Sequence, residues 1–480
     1  DDDTYYVDGN GVMVTNTWVK VVNEDQDDDD PAEYRYYYMQ NSGKAYKASD
    51  NSTSTKFRTI DGKKYAFDDE GKMLYGWVNE DDSTLASDDS DWETATYYMG
   101  SWEDGSMKTG WQKVTVYDDE DGKDDDYDYW FNFKSNGQKR AHANADDTWK
   151  SNSRYYHFDE RGVMVYQWFE TATTNSASAS NWAYFSSPED GARVTKGWFK
   201  VVAAEMLNKD KYDDDEDAWY YADGSGKLYA GEFKTIKGKK YAFRNDGRML
   251  SGLKFIKEGT DDFAGVVADD DDNHSFDNED DFLAQASTYF EGEGYKCYYF
   301  GGDEDGAMRT GKTSLTFDGE NTNFYFEKSG GKKGAGVTGE KDNKLYQSGM
   351  LLKADSDDKY TVVDKETHIK DDGTKYETYT KLDDAKAFMD SVKDNGGKVN
   401  DELAGKEGST KVTVGSNTTK KAEDLAEAYS VDLKDVKNHE YILVNTSGKV
   451  IDNKGKNKDG SDYYYVTNSN GKITNIYVED

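Results

Sequence analysis

Cysteine and proline are nearly absent from this chain of 480 residues, which has one cysteine, Cys297, and two prolines. A single cysteine excludes an intramolecular disulfide, so cysteine usage assigns no compartment. Two prolines are too few for a polyproline linker. No apolar run approaches the roughly 20 residues that a membrane-spanning helix needs. We therefore predict neither a disulfide framework nor a membrane span.

Catalytic signatures are missing as well. The five histidines are scattered along the chain, and there is no nucleophile elbow, phosphate-binding loop or His-Glu-x-x-His sequence. The carboxylates are so numerous that no pair can be singled out as a general acid and base. Cys297 precedes Tyr298 in a predicted strand, where we expect a buried, unreactive thiol. The sequence predicts a protein that is not an enzyme and that has no cofactor, calcium excepted.

Positive charge is scarce relative to negative charge, and the formal net charge is −37. Such a surface repels nucleic acids and anionic lipids, whereas neutral sugars, cationic ligands and divalent metals remain possible partners. A halophilic origin would give a similar balance. Only 35% of the residues are hydrophobic, but 38 Tyr, 20 Phe and 11 Trp make 14% of the chain aromatic. Because each aromatic side chain buries a large area, we predict a β-rich protein whose aromatic core forms many thin layers.

One short unit recurs along the chain, and it predicts a repeat architecture. Each copy has an aromatic pair, a Gly turn, a Met or other apolar residue two positions later, and often Gly-Trp. The copies are Tyr5-Tyr6/Gly11/Met13/Trp18, Tyr97-Tyr98/Gly105/Met107/Gly110-Trp111, Tyr155-Tyr156/Gly162/Met164/Trp168, Tyr184-Phe185/Gly191/Val194/Gly197-Trp198 and Tyr298-Tyr299-Phe300/Gly306/Met308/Gly311.

A longer segment of the chain, which contains several short units, is also duplicated. The sequence FRTIDGKKYAFDDEGKMLYG at 57–76 returns as FKTIKGKKYAFRNDGRMLSG at 233–252. A block over about 5–140 recurs in this way over about 184–336. Such a duplication is typical of an elongated array in which each repeat contacts its neighbours.

The local geometry follows from the shortest copies, in which two alternating segments flank Asp61-Gly62. Asp-Gly between such segments is a strong hairpin signal, because both turn positions need a positive φ. We expect Phe57, Tyr65 and Phe67 to share one face of this hairpin. A lone hairpin is marginally stable, so stacked faces are needed. The predicted fold is mostly β, an elongated β-hairpin solenoid of aromatic repeats.

Long acidic insertions interrupt several hairpins and carry most of the negative charge. They lie between Trp18 and Tyr36, Trp111 and Trp130, Trp198 and Trp219, and Leu253 and Tyr298. Two acidic segments hold part of an EF-like calcium loop, without its full ligand spacing or distal Glu. The candidate calcium ligands are Asp118, Asp119, Asp121, Asp303 and Asp305, and the alternative is a solvated acidic loop.

The repeat pattern decays from about residue 352. The segment 381–394 predicts an amphipathic helix, and 421–438 predicts a helix, a turn and a short helix. Strands are predicted at 441–445, 462–466 and 473–478. The resulting division is a first repeat block over 1–150, a second, duplicated block over 151–350 and a small α+β module over 351–480.

The repeats over about 4–350 resemble the cell-wall-binding repeats of Gram-positive surface proteins, the choline-binding repeat family. They are also similar to repeats in the glucan-binding domains of streptococcal glucosyltransferases and in clostridial toxin tails. In that family, Trp and Tyr of consecutive hairpins form a cage around choline, which suits a quaternary ammonium. The resemblance implies two sets of cage candidates, namely Trp77, Tyr98 and Trp111, and Trp168, Tyr184 and Trp198. The alternatives are that these rings form the stacking core, or that a sugar stacks on them.

Two hypotheses of different classes follow. The first is a protein of the bacterial cell surface that binds cell-wall glycopolymer or another polysaccharide through its aromatic hairpins. The second is a structural homo-oligomer, which assembles into an extracellular filament or surface layer stabilised by calcium. The chain starts at Asp1 without Met or a leader, which we interpret as a mature secreted protein. A chain shortened at its start is the alternative.

Overall fold

The computed structural model describes residues 2–49, 52–81, 83–84, 88–173, 178–257, 276, 278–289, 291–317 and 319–480. It consists mostly of β-strands, many of them paired in small two-stranded sheets. The chain forms two compact units, Asp1–Phe199 with Tyr221–Leu228 and Lys200–Tyr220 with Tyr229–Asp480. The division predicted from the repeats, with blocks over 1–150, 151–350 and 351–480, stays a prediction.

The strands and helices are short throughout. The strands of the first unit are β1 Thr17–Val22, β2 Tyr34–Met39, β3 Phe57–Ile60, β4 Lys63–Ala66, β5 Trp77–Val78, β6 Tyr97–Tyr98, β7 Gly110–Asp118, β8 Asp125–Phe133, β9 Trp149–Ser151, β10 Arg154–Tyr156, β11 Gln167–Glu170 and β12 Trp182–Phe185. The division between the units passes through β13 Gly197–Val202 and β14 Asp217–Ala222.

The strands of the second unit are β15 Glu232–Ile236, β16 Lys239–Phe243, β17 Leu253–Lys257, β18 Tyr295–Tyr299, β19 Gly311–Phe317, β20 Glu320–Phe326, β21 Gly339–Lys341, β22 Lys344–Gln347, β23 Met350–Leu352, β24 Tyr360–Ile369, β25 Lys375–Lys381, β26 Lys398–Asp401, β27 Lys411–Gly415, β28 Thr418–Lys421, β29 Leu425–Asp432, β30 His439–Asn445, β31 Gly455–Lys458, β32 Tyr463–Thr467 and β33 Ile473–Glu479. The α-helices are α1 Asp91–Thr94, α2 Lys209–Asp213, α3 Glu279–Thr288 and α4 Ala385–Asp394, and 3-10 turns cover Glu120–Gly122, Ala179–Asn181, Glu291–Glu293 and Ala422–Asp424.

The hairpin predicted around Asp61-Gly62 is confirmed. Strands β3 and β4 pair in antiparallel register, and φ is 50° at Asp61 and 82° at Gly62. The duplicated hairpin, β15–β16, has the same turn geometry at Lys237 (φ 48°) and Gly238 (φ 81°). Two left-handed residues in succession give the turn the twist that its flanking strands require.

The expectation that Phe57 shares a face with Tyr65 and Phe67 is wrong. The two-residue turn places Phe57 opposite Ala66, and directly opposed residues point to the same face of a sheet. Tyr65 and Phe67 therefore lie on the other face. Both faces are covered, because Tyr65 packs in a cluster with Trp18, whereas Phe57 packs against Tyr97. A hairpin buried on both faces is a layer between two neighbours.

Consecutive hairpins are joined by a recurring contact between a methionine and a turn glycine. A Cβ atom at Gly105, whose φ is 62°, would lie 2.3 Å from the Sδ atom of Met73. Any other residue at position 105 would displace the end of the Met73 side chain. Glycine also adopts this positive φ without strain. The same contact joins Met13 to Gly43, Met107 to Gly137 and Met164 to Gly191 in the first unit, and Met249 to Gly306 and Met308 to Gly334 in the second.

Backbone hydrogen bonds run beside these contacts. The Met73 amide donates to the Tyr36 carbonyl at 2.8 Å, and the Met107 amide donates to the Lys64 carbonyl at the same distance. The unit that recurs in the sequence thus corresponds to a recurring link between hairpins.

The acidic insertions differ in structure. In the insertion between Trp111 and Trp130, β7 continues to Asp118 and β8 begins at Asp125, so most of it is regular strand. The insertion between Trp198 and Trp219 contains α2. In the insertion between Leu253 and Tyr298, residues 258–275, 277 and 290 lie outside the described residues, and the described part contains α3.

The end of the second unit contains larger sheets. Strands β25-β24-β30 form a three-stranded sheet, and β26-β29-β33-β32-β31 form a five-stranded one. The helix predicted at 381–394 is confirmed as α4, capped by Asp384, whose carboxylate accepts a 2.7 Å hydrogen bond from the Ala387 amide. Phe388 and Val392 are buried against side chains that include Leu443. The three predicted strands correspond to β30, β32 and β33.

The helices predicted at 421–438 are wrong. Ala422–Asp424 forms a 3-10 turn, Leu425–Asp432 forms strand β29, and residues 433–438 form a turn and irregular backbone. Strand β29 pairs with β26 on one side and β33 on the other. Backbone hydrogen bonding on both edges outweighs the helix propensity of its Leu, Ala and Glu residues, because propensity is a weak local preference.

Candidate functional site

The aromatic candidates lie on paired strands of the hairpins. Trp77 on β5 is opposite Tyr98 on β6, with ring centroids 4.9 Å apart. Trp168 on β11 is opposite Tyr184 on β12, at 5.2 Å. The structure brings the two members of each pair together, because they lie opposite each other on the paired strands of one hairpin.

The structure does not keep each predicted set of three together in one cluster. Trp111 belongs to a cluster with Tyr156, 5.0 Å away, and Phe158, 5.6 Å away, whereas Trp77 packs at 5.0 Å against Phe131. The Trp198 ring lies 5.1 Å from the Tyr221 ring. Ligand binding at these six residues stays a prediction, and the contact with Phe131 agrees with the alternative that such rings form a stacking core.

A cleft of about 270 Å³ opens beside Trp111. Its walls are aromatic or apolar, and two carboxylates stand at its edge. The lining residues are Trp111, Trp130, Tyr156, Met164, Glu189 and Asp190. Trp111 and Trp130 come from the paired strands β7 and β8, and their rings meet edge to face at 6.3 Å. Tyr156 comes from the next hairpin, β9–β10. The two carboxylates come from the turn that follows β12 of the hairpin after that, so three successive repeats build the cleft.

The carboxylates of the cleft already have cationic partners. Glu189 accepts a 3.0 Å hydrogen bond from Nε1 of Trp130 and one of 2.7 Å from Nζ of Lys113. These bonds hold the pKa of Glu189 below its ordinary value. Asp190 pairs with Arg154 at 2.5 Å. The four charges cancel formally, so the edge of the cleft is polar but has no net charge.

The same arrangement recurs in the second unit. Glu304 accepts a 2.8 Å hydrogen bond from Nε1 of Trp219 and a 2.7 Å bond from Nζ of Lys200. These bonds lower the pKa of Glu304 as well. The duplication therefore repeats a specific polar contact in addition to the hairpin backbone.

Sequence reasoning missed Trp130 and Glu189, although a signal was present. Glu-Asp-Gly occurs four times in the chain. At 103–105, 189–191 and 304–306 it lies in the turn that precedes a Met or Arg position, and at 120–122 it forms a 3-10 turn between β7 and β8. The glycine is needed for its positive φ, which is 63° at Gly191. The two acidic residues before it have no such backbone role, and at 189–190 they form the edge of the cleft.

The calcium candidate Asp118 is engaged by other groups. It is fully buried, accepts a hydrogen bond from the Tyr129 hydroxyl, and lies 3.1 Å from both Lys123 and Arg161. Burial alone would raise the pKa of Asp118, but these donors and cations hold it well below its ordinary value. Its oxygens are thus directed at protein donors.

The other calcium candidates are dispersed. Asp119 and Asp303 are exposed, and the side chain of Asp121 lies outside what the structure describes. Asp305 pairs with Arg309. Within the described part of the chain, no three His, Cys, Asp or Glu side chains meet in a way that could hold a metal ion. Calcium binding by these residues stays a prediction.

Comparisons with known proteins find similarity to several streptococcal proteins. No family model matches the chain. Over 255 residues it is 26% identical to "Glucosyltransferase-S" of Streptococcus mutans serotype c, a match that covers 45% of this chain and 16% of that enzyme. Across the described residues, no helix is both long and apolar enough to cross a membrane.

Two solved structures from Streptococcus pneumoniae are also similar. The modular autolysin LytC, in complex with a synthetic peptidoglycan ligand, is 16% identical with a TM-score of 0.32, over 68% of this chain and 52% of the autolysin. Choline binding protein F is 17% identical with a TM-score of 0.25, over 74% of this chain and 90% of that protein. The chain spans about half the length of the autolysin and a smaller share of the glucosyltransferase. It is a repeat protein similar to choline-binding and glucosyltransferase proteins of streptococci, as its sequence predicts.

Proposed function

We propose that this chain is a non-enzymatic protein of the bacterial cell surface that binds polysaccharide through clefts between its aromatic hairpins. The observation that carries this proposal is the cleft of Trp111, Trp130 and Tyr156, with its pair of neutralised carboxylates. Small-ligand sites commonly combine apolar and aromatic walls with a few fixed polar groups.

The charge balance of the cleft favours a sugar over a quaternary ammonium. A cationic ligand would be attracted by unpaired carboxylates, but Lys113 and Arg154 already neutralise Glu189 and Asp190. A neutral sugar can stack one face on an indole ring, and its hydroxyls can exchange hydrogen bonds with the charged side chains. Hydrogen bonds to ionised groups are the stronger kind.

The size of the cleft sets the scale of the ligand. At about 270 Å³ it is smaller than most pockets for drug-sized ligands, so one or two sugar units fill it. A polysaccharide presents many such units, and several weak sites on one chain then act together through effective concentration. Recurrence of the Lys-Glu-Trp contact at Glu304 supports more than one site.

We further propose that the hairpins form an elongated solenoid with its acidic loops outside. The methionine-to-glycine contacts and the backbone hydrogen bonds between consecutive hairpins, found in both units, support this arrangement. A solenoid of repeats would display the clefts in a row. Secretion of the chain and its location at the bacterial surface are part of this proposal.

The test is Trp130→Leu in the full chain, with Trp149→Leu as the matched control. Trp149 belongs to the same ring cluster but does not line the cleft. Affinity for soluble glucans and for purified cell-wall polysaccharide is measured by titration calorimetry, and circular dichroism confirms folding. We expect at least a tenfold loss for Trp130→Leu, which is about 1.4 kcal/mol, and a smaller loss for the control. Equal affinities of the two variants and the parent contradict the proposed cleft.

Competition separates the two ligand classes. Free choline added to the complex should leave polysaccharide binding unchanged if sugars occupy the clefts. Displacement at millimolar choline would assign the clefts to a cationic ligand instead.

A second candidate function, self-assembly, is favoured by exposed apolar side chains on β1 and in the segment before it. Val7, Val12, Met13 and Val22 are 55%, 60%, 47% and 63% exposed. Such side chains can contribute to a contact surface. Light scattering after size exclusion, with calcium and then with chelator, tests this alternative and the predicted calcium ligands together. A monomeric mass in both conditions contradicts it.

A further inference from the structure

Lys139 stands where neighbouring hairpins have a methionine. Isolated backbone bridges join Phe67 to Met73 and Phe158 to Met164, and an equivalent bridge joins Phe133 to Lys139. The side chain follows the path of those methionines, because a Cβ atom at the next turn glycine, Gly162, would lie 2.7 Å from Cδ of Lys139. The repeat thus directs an ammonium group to the position of a thioether.

The Lys139 ammonium lies among aromatic rings and backbone carbonyls. Its Nζ atom is 5.4 Å from the ring centroid of Trp77 and 6.0 Å from that of Phe131. It donates hydrogen bonds to the carbonyl oxygens of Trp92 at 2.7 Å and Glu93 at 3.0 Å. Ring faces and carbonyl oxygens both attract a cation, so these groups offset part of the cost of burying the Lys139 ammonium.

We propose that Lys139 is an internal ligand that occupies the cation position between the Trp77 ring and the carbonyl oxygens of Trp92 and Glu93. This inference rests on the proposed function only in treating the aromatic sites as ligand sites. It distinguishes two kinds of aromatic site in one chain. The Trp111 cleft is open to solvent and lined by neutralised carboxylates, whereas the Trp77 site already holds an ammonium.

Removal of the side chain beyond Cβ leaves a site for a small primary ammonium ion. Lys139→Ala deletes three carbons and one nitrogen, which are the atoms of n-propylammonium. Alanine is compatible with this backbone position, because Ala45 occupies it in the bridge with Met39. The ring faces and the two carbonyl acceptors remain, so n-propylammonium should bind where the lysine was.

The experiment measures binding of n-propylammonium to the full-length Lys139→Ala variant by titration calorimetry and by the shift of its melting temperature. Lys150→Ala is the matched control, because Lys150 is exposed and lies 5.4 Å from the ring centroid of Tyr155. We expect one saturable binding event and a rise in Tm for Lys139→Ala, and neither for the parent or Lys150→Ala. A folded Lys139→Ala variant that shows no saturable binding overturns the proposal.

Two comparisons identify the chemistry of the site. Propan-1-ol matches n-propylammonium in shape without the charge, so equal binding of both would reveal an apolar cavity and overturn the proposal. Tetramethylammonium cannot donate to the carbonyls of Trp92 and Glu93, so we expect it to bind at least tenfold more weakly than n-propylammonium. Equal binding of the two ammonium ions would contradict the role of these carbonyls.

The parent chain provides a test that does not depend on the stability of the variant. In NMR spectra of the lysine-labelled protein, ring currents should shift the Lys139 ε-methylene protons upfield of those of exposed lysines that lie over no aromatic ring. A shift equal to that of exposed lysines overturns the proposal. Polysaccharide affinity of Lys139→Ala should equal that of the parent. If no polysaccharide binds to either, the proposed function fails while the n-propylammonium result still decides the role of Lys139.

Discussion

Replacement of Lys139 by methionine, the residue of the neighbouring repeats, should make the protein more stable at neutral pH. Burial lowers the pKa of Lys139 to about 7, although the carboxylates of Asp159 and Glu93 act in the opposite direction and Arg161 adds to the lowering. The unfolded chain has the ordinary lysine pKa of 10.5. Folding therefore disfavours the charged form of Lys139. Above pH 10.5 the side chain is neutral in both states and does not destabilise the folded protein. As the pH falls from 10.5 to about 7, the destabilisation by Lys139 grows to its full value.

The magnitude follows from the two pKa values. Each unit of difference corresponds to about 1.36 kcal/mol, so a lowering from 10.5 to about 7 corresponds to roughly 5 kcal/mol. Lys139 is only partly buried, so solvent screening reduces this figure, and we expect about 2–4 kcal/mol. Lys139→Met removes the titrating group. Its advantage over the parent should be largest near pH 7 and should shrink steadily toward pH 10.5.

The assay is differential scanning calorimetry of the parent and Lys139→Met at pH 7, 8, 9 and 10, with Lys150→Met as the control for loss of an exposed lysine. Taking the difference between variant and parent cancels the titration of all other groups. A difference in unfolding free energy that is the same at every pH would refute the reasoning, because it would show that Lys139 has the same pKa in the folded and unfolded chains.

Three further predictions follow from contacts described above. Gly105→Ala should destabilise the protein by about 1 kcal/mol more than Gly62→Ala in calorimetry, because both glycines have positive φ but only at Gly105 must the new Cβ displace the end of a methionine side chain. Equal losses would show that the contact is unimportant. Asp118→Asn should cost about 3–5 kcal/mol, since it leaves two cations beside a buried neutral group, whereas exposed Asp119→Asn should have little effect. The low pKa of the Asp118 carboxyl also predicts that its contribution is lost only as the pH falls below about 3.8. Burial raises the pKa of Cys297, so a thiol reagent should label it only in denaturant, and rapid labelling of the native protein would contradict its burial.

The repeats were predictable from sequence because their turn chemistry is local. Asp61-Gly62 specifies a two-residue turn whatever surrounds it. The distribution of aromatic residues between faces was predictable in principle, since the turn length fixes the register. The two-residue turn places Phe57 opposite Ala66. Alternation along a single strand does not give this pairing, so it cannot by itself assign Phe57 to a face of the hairpin.

The strand β29 could not be predicted in the same way. Its sequence has the Ala, Glu and Leu content of a helix, and its partners β26 and β33 are distant in the chain. The residues of the candidate site are likewise distant in the chain and could not be paired from sequence. Trp130 and Glu189 are 59 residues apart, and only the order in which hairpins pack brings them together. A single sequence gives the repeat but not the distance over which residues of different repeats meet.

The contact between a methionine and the next turn glycine has a consequence for how such a chain can change. The glycine offers bare backbone, so the side chain lying on it need not match a particular partner. Leu228 and Arg193 occupy the methionine position in bridges to Ala222 and Phe185, and Arg193 does so after a turn that is two residues longer than the turn before Met73. A substitution at this position can therefore change one repeat without changing the others. Deletion of a residue between the glycine and this position would instead move the side chain to the opposite face of its strand and disrupt the packing of both neighbouring hairpins. Whole hairpins are the natural units of exchange in this protein, and that single position is where each can acquire a property of its own.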